Sequence, residues 1–234
     1  MPYRRLPNTD NARIKALRTA IEMNQKSFDR IISSDHIVLE AILRKFENTQ
    51  IEYKSNLNRQ VHENQKFQKL IKNARIYISH FIQVLNLAVI RNEIKKEAKR
   101  FYKLAPDNFS VPDLTSNESL IIWGENIING EQERVSTGNG AAIYNPNIAR
   151  VNVAYSQFRN AYNAQKIHQA STARQLELLA EQRSDIDKLL TVIWNEIEAY
   201  FSDLPNEQRL EKCKQYGVIY YLRKGEKEIE KDDN

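Results

Sequence analysis

The sequence predicts an all-α protein, an elongated antiparallel helical bundle or coiled coil with a short extended segment near its C-terminus. Three observations lead there. Only six glycines and six prolines occur in 234 residues, less than half their usual combined share of about 12 per cent, and turn-rich β architectures need both at their corners. Pro7 and Pro106 bracket 98 residues without either. Apolar residues then recur in steps of three and four along most of the chain, the spacing of one helix face. Charged residues make up 28% of the chain, which suits a thin apolar seam between solvated faces. A single domain over residues 1–234 is expected, with helices at about 10–33, 35–104, 115–131, 146–203 and 205–215 and an extended segment at 218–222.

The first helix rests on Ile14, Leu17, Ile21, Phe28 and Ile31 as one face, with Thr9 or Asp10 as N-cap. "SSDH" supplies Ser33, Ser34 and Asp35, side chains that compete for backbone hydrogen bonds and favour a helix start. The first turn is therefore expected at 33–36, with 55–64 as the second choice. Val38, Ile42, Phe46, Tyr53, Leu57, Val61, Phe67, Ile71, Ala74, Ile78, Phe81, Leu85 and Ala88 continue in phase, so a second helix is expected to run as far as Leu104, before Pro106 and Pro112. "TSNE" from Thr115 to Glu118 has capping-box spacing, and Gly130 lies near the expected end of that third helix. Asn145 and Pro146 read as N-cap and first helical residue of the fourth.

That fourth helix carries the clearest signal. Steps of three and four from Ile148 to Tyr200 give sixteen positions, twelve of them apolar. A sustained period of 3.5 keeps one stripe facing a partner helix over many turns. Gln165, Gln169, Thr172 and Arg183 interrupt the stripe and are read as register-setting or solvent contacts, ahead of lining a polar cavity or meeting another helix. After Pro205, "NEQRLEKCKQ" reads as a short helix, and "VIYYL" after Gly217 as a β-favouring run in need of a partner.

Chemistry is sparse. The four histidines, His36, His62, His80 and His168, follow Ser33, Arg59, Tyr77 and Gln165 at three residues' distance, so the Glu-x-x-His pairs of di-iron bundles are missing. "HENQK" at His62 has Lys66 where a zinc-protease motif needs histidine. No nucleophile elbow occurs, and Cys213, the one cysteine, reads as a buried structural thiol. His80 reads as hydrogen-bonded packing in a helix seam. No catalytic residue, metal ligand or cofactor is assigned, and the reading leans away from an enzyme.

Two candidate sites remain. "STGNGAAIYNPN" at 136–147 is the only glycine-dense stretch, with Gly138, Asn139, Gly140 and Tyr144 as a candidate ligand loop. It lacks the third glycine of a dinucleotide fingerprint and the Lys-Ser/Thr end of a phosphate loop, so a joint between helices is the favoured reading. The second candidate is a basic patch of Arg91, Lys95, Lys96, Lys99, Arg100 and Lys103. Residues 1–105 hold 21 Lys and Arg against 10 Asp and Glu, and the remainder 14 against 20. Complementary charge across antiparallel helices accounts for this asymmetry, ahead of phosphate binding.

"ARIYISHFIQVLNLAVIRNEI" (Ala74–Ile94) and "LPNEQRLEKCKQYGVIYYLRKGE" (Leu204–Glu226) resemble segments of bacterial helical proteins of similar length to which no activity is assigned. The resemblance implies a bacterial cytoplasmic setting and carries no catalytic motif. The opening "MPYRRLPNTDNAR" has no apolar run behind its basic residues, unlike a secretory signal. The most apolar window, Ile76 to Ile90, carries His80, Gln83 and Asn86 and falls short of the roughly 20 apolar residues that span a membrane. The expected function is a non-catalytic scaffold or protein-interaction module, binding a partner protein or a second copy. Nucleic-acid binding through the basic half is the alternative, a small-ligand site at the 136–147 loop the next, and no membrane association is expected.

Overall fold

The computed structural model of the chain describes residues 3–222, and the fold is an all-α helical bundle with one minor two-stranded sheet. The strands are β1 (Tyr3–Arg4) and β2 (Tyr220–Tyr221). The helices are α1 (Asp10–Lys26), α2 (His36–Ile90), a 3₁₀ helix (Lys96–Tyr102), α3 (Asn117–Ser136), α4 (Ile148–Tyr200) and α5 (Asn206–Gln215). The expected single domain resolves into two compact units. Among the described residues, those up to Asn56 and from Thr172 form the first, and Leu57–Ser171 form the second. Both long helices, α2 and α4, contribute to each.

In the first unit the N-terminal part of α2 and the C-terminal part of α4 run antiparallel, and α1 covers one side of them. Leu17 and Ile21 of α1 and Leu39, Leu43 and Phe46 of α2 are buried with Leu190, Ile193, Trp194 and Ile197 of α4. Thr9 caps α1 by accepting from the Ala12 N–H at 3.2 Å. Two forked ion pairs tie α1 to α4: Arg13 donates to Asp187 through two bonds of 2.8 Å, and Arg183 to Asp10 through two of 2.7 Å. Arg183, a break in the apolar stripe, thus meets a third helix. A planar guanidinium on a carboxylate fixes orientation as well as distance, so these pairs set the register of α1.

Several expected boundaries shift. Helix α1 ends at Lys26 instead of 33, because the Asn24 side-chain oxygen accepts from the Ile31 and Ile32 N–H groups, both at 3.0 Å, and holds residues 27–35 as a loop. Phe28, assigned to the apolar face, is fully exposed in that loop. The expected start of the second helix holds, since Asp35 accepts from the Ile37 N–H at 3.0 Å. No turn interrupts residues 55–64. The extended segment shortens to β2 and pairs with β1, Tyr3 opposite Tyr221 and Arg4 opposite Tyr220. Arg4 also donates to Asn195 at 2.8 Å and to Glu198 at 2.9 Å.

In the second unit α2, α3 and α4 surround Phe67, Ile78, Phe81, Leu85, Leu120, Ile127, Val151 and Phe158. Phe67 of α2 stacks on Phe158 of α4 with ring centroids 6.0 Å apart. The helix expected to run to residue 104 stops at Ile90. Asn92 takes a left-handed conformation (φ 59°), its N–H reaches the Val89 carbonyl at 3.0 Å, and the Glu93 N–H reaches that of Ala88 at 2.9 Å. This is a Schellman end built on asparagine, the second choice after glycine. Lys103 (φ 59°) ends the 3₁₀ helix with the same pair of bonds, to Arg100 at 3.0 Å and from Leu104 to Lys99 at 3.1 Å.

Helix α3, Asn117–Ser136, starts two residues late and ends five residues late against its expected 115–131 span. Ser116, not Thr115, caps it, accepting from the Ser119 N–H at 3.0 Å, while Thr115 donates to Asp113 at 2.7 Å. Gly130 lies inside the helix, where glycine usually costs about 1 kcal/mol. It is needed there because a Cβ would stand 2.7 Å from the Phe101 carbonyl oxygen. Helix α4 is capped by Asn147, which accepts from the Arg150 N–H at 2.9 Å, so Asn145 and Pro146 belong to the preceding turn. Ile148–Tyr200 is then one unbroken helix. Val151, Tyr155, Phe158, Leu179, Ile186, Leu190, Ile193 and Ile197 of its stripe are buried, whereas Leu176 and Gln169 are exposed.

Tyr155 of α4 packs directly over Gly124 of α3, where an added Cβ would sit 2.3 Å from a ring carbon. Gly124→Ala should lower stability by about 1–3 kcal/mol, the cost of overpacking, despite alanine's better helix propensity. Urea unfolding of the variant and of Gly124→Ala, Tyr155→Leu measures this, the second change restoring most of the loss.

Candidate functional site

The glycine-dense stretch is strapped down from beneath. Arg134, in the last turn of α3, is completely buried. Its Nε donates to the Tyr102 hydroxyl at 2.7 Å and to Glu131 at 3.0 Å, and its two terminal nitrogens donate to the carbonyls of Asn139 at 2.7 Å and Ala141 at 2.9 Å. Glu131 accepts from the Ile143 N–H at 2.8 Å and from the Tyr102 hydroxyl. One buried ion pair therefore holds both ends of residues 139–143. The group works because every polar atom of the guanidinium and carboxylate finds a partner, which a buried pair requires if it is not to destabilise the fold.

This arrangement places the four loop candidates differently. Asn139 and Gly140 lie over the Arg134 guanidinium, with an added Gly140 Cβ 3.1 Å from Nη1. Gly138 faces open space and Tyr144 is 91% exposed. Gly138 (φ 73°) and Gly140 (φ 99°) both occupy the left-handed region, where side chains with a Cβ are strained. A phosphate cradle needs backbone N–H groups free to converge on an anion. Here the Gly138 and Asn139 N–H groups close the end of α3 on the carbonyls of Val135 and Arg134 at 3.1 and 3.0 Å, and that of Ile143 is held by Glu131. The geometry is that of a fastened joint.

Of the basic patch, one member is buried, two have acidic neighbours and three are exposed. Lys99 is buried, donates to the Asn108 carbonyl and stands 4.3 Å from the centre of the Phe109 ring; burial pushes its ammonium pKa down. Lys96 pairs with Asp107 at 2.9 Å, and Arg91 lies 4.0 Å from Glu93. Lys95, Arg100 and Lys103 are exposed. Lys99 and Lys96 together fasten the 105–110 loop onto the 3₁₀ helix, a role their spacing in sequence does not advertise.

Two further polar clusters were not legible. In the second unit Tyr155 donates to Glu125 at 3.1 Å, and Arg159 donates to Glu125 at 2.6 Å and to Tyr155 at 2.9 Å. In the first, Tyr220 donates to Glu198 at 2.6 Å beside the buried Cys213, whose thiol pKa is raised by burial. Both bridge secondary-structure elements. Glu131 and Arg134 do form an i, i+3 pair of opposite charge, but that signal is shared with solvated helix faces, and Tyr102 lies about thirty residues away. His80, expected in a seam, is exposed on α2. Among the described residues no three His, Cys, Asp or Glu side chains gather in a metal-binding arrangement, and no helix is long and apolar enough to cross a membrane.

Two open grooves lie among the described residues. One of about 430 Å³ in the first unit lies between α2 and α4 over Ile42, Phe46, Ile186, Leu189 and Val192, rimmed by Lys45, Asp185 and Lys188. The other, about 340 Å³ in the second unit, is bordered by Asn73, Tyr77, Ala149, Arg150, Val153 and Gln157. No family model, curated protein or solved structure matches the chain.

Removing one partner of the buried pair exposes its worth. Arg134→Met should cost about 3–5 kcal/mol because Glu131 is left buried without a cation, and Arg134→Met, Glu131→Leu should recover much of it, both read by urea unfolding. Tyr102 also predicts an alkaline weakness. Burial first, then Glu131, holds its phenol far above the ordinary tyrosine value, so above about pH 10 the native chain keeps a proton that the unfolded chain releases. Stability then falls as pH rises, and the fall should be shallower in Tyr102→Phe, measured as unfolding free energy between pH 9 and 11, roughly spanning that titration.

Proposed function

We propose that the protein is a non-catalytic helical scaffold that binds another protein through the side of its helices. The observation that carries this reading is the open apolar groove of the first unit. Phe46 and Ile186 form its floor, almost fully buried, and Ile42, Leu189 and the half-exposed Val192 form its walls. A groove between two antiparallel helices accepts the apolar face of a third, whose anchors recur at i, i+3, i+4 and i+7. Lys45 and Lys188 at the rim favour an acidic flank on that helix, with Asp185 standing 3.8 Å from Lys188.

The polar clusters support the same reading. Each joins elements within the fold, and none leaves a nucleophile beside a base in an open cleft, the arrangement that covalent or acid–base chemistry calls for. Nucleic-acid binding draws less support, since Lys99 is buried and Lys96 has an acidic partner.

Val192→Glu and Ile42→Glu place charge on the groove wall without touching its floor. Each should weaken a groove-bound partner by about 2 kcal/mol or more, roughly thirtyfold, in quantitative affinity capture compared with wild type, while the helical signal and urea midpoint stay near wild type. A set of captured proteins unchanged by both variants would count against the groove. Retention of single- or double-stranded nucleic acid that weakens steeply with salt would favour the alternative.

A further inference from the structure

The chain's charge is divided unevenly between its units. Leu57–Ser171 hold 15 Lys and Arg against 9 Asp and Glu, whereas the described residues of the first unit hold 16 of each. Within the second unit the acids are themselves confined. All but Glu63 lie between Glu93 and Glu133, and none occurs from Arg134 to Leu176. The complementary charge expected across the antiparallel pair therefore does not reach this part of α2, because the stretch of α4 beside it carries no carboxylate. Acids meet α4 here from α3, Glu125 accepting from Arg159 at 2.6 Å and Glu118 from the Tyr162 hydroxyl at 3.0 Å.

The other side of the pair is left basic. Arg75 marks the side of α2 that meets the segment leading into α3, donating to the Leu114 and Thr115 carbonyls at 2.9 and 3.0 Å. Arg59, Lys66 and Asn73, at heptad spacing, lie about half a turn round from it, with His62, Lys69 and Lys72 beside them, all six exposed. Glu63 is occupied by Lys66 at 2.8 Å. Arg59, Lys69 and Lys72 make no ion pair among the described residues, and neither does the exposed Arg150 of α4. Asn73 opens the 340 Å³ groove that it shares with Tyr77, Arg150 and the exposed Val153. Spacing decides which polyanion fits. From Arg59 to Lys72 is about 20 Å along the helix, over which duplex nucleic acid brings about a dozen phosphates, far more than these cations neutralise. A helix with one carboxylate on each turn brings one about every 5 Å, close to the spacing on offer. We infer that this face docks an acidic amphipathic helix of a partner protein. Its carboxylates lie on Arg59, Lys69, Lys72 and Arg150, opposite charge setting its orientation, and an apolar side chain enters the groove against Tyr77 and Val153. This surface is separate from the groove of the first unit, so it adds a second kind of partner to the scaffold reading.

The probe is a fluorescent helical peptide of about 20 residues, long enough to cover the face, with glutamate on each turn beside a leucine stripe. Anisotropy with the full chain should show binding that a peptide with lysine for each glutamate lacks. Arg59→Glu, Lys69→Glu should weaken it at least about tenfold, and Arg150→Glu by a similar factor, as like charges then meet. All these positions are exposed, so the helical signal should stay at wild type. Lys15→Glu, Lys26→Glu makes the same change of charge on exposed residues of the first unit and should leave binding unchanged, which separates this face from net charge. No preference for the acidic peptide overturns the inference, as does equal weakening by the two double variants. Tighter binding of single-stranded RNA or duplex DNA than of the peptide gives the face to nucleic acid and also overturns it. A peptide released by Val192→Glu and indifferent to Arg59→Glu, Lys69→Glu sits in the first-unit groove instead. That result would overturn this inference while supporting the groove, so the two readings fail separately.

Discussion

The structure depends on the burial of one apolar stripe, that of α4. In the first unit Leu190, Ile193 and Ile197 sink into a core shared with α1 and α2, and in the second Val151 and Phe158 do the same with α2 and α3. Forked arginine–aspartate pairs position α1, and the missing side chain of Gly124 lets Tyr155 of α4 press into α3. Non-directional burial supplies the driving force, and a few directional contacts choose one arrangement among many that would bury similar area.

What could be read from the sequence follows from that division. Periodicity reports burial, so the two long helices and the α4 stripe were legible, as were helix starts at Thr9 or Asp10 and within Ser33–Asp35. Helix ends without glycine or proline were not. Ile90 is followed by Asn92 and the 3₁₀ helix by Lys103, both in the left-handed region, and a lysine there gives no compositional warning. Helix α1 ends early because an asparagine within it bonds a later loop, a contact that apolar spacing does not encode. The β1 strand is two residues long, too short for any alternation to show.

The candidate loop was legible as an exception and readable as a joint, but its fastening was not. Arg134 and Glu131 look like an ordinary solvated pair until Tyr102 and the loop carbonyls close over them. The inward turn of one basic-patch member was not legible for the same reason: net charge by segment says where lysines are in sequence, whereas Lys99 lies against Phe109 and Asn108. Charge counts describe a surface only once burial is known.

The strap under residues 139–143 has a further consequence for motion. Connections rich in glycine usually fray ahead of the helices they join. This one shares its hydrogen bonds with a fully desolvated arginine, so releasing the loop means exposing the last turn of α3 and the 3₁₀ helix beside it. Amide exchange at Ile143 would then keep pace with the interior of its unit, and a protease would find the most glycine-dense segment of the chain among the slower places to cut.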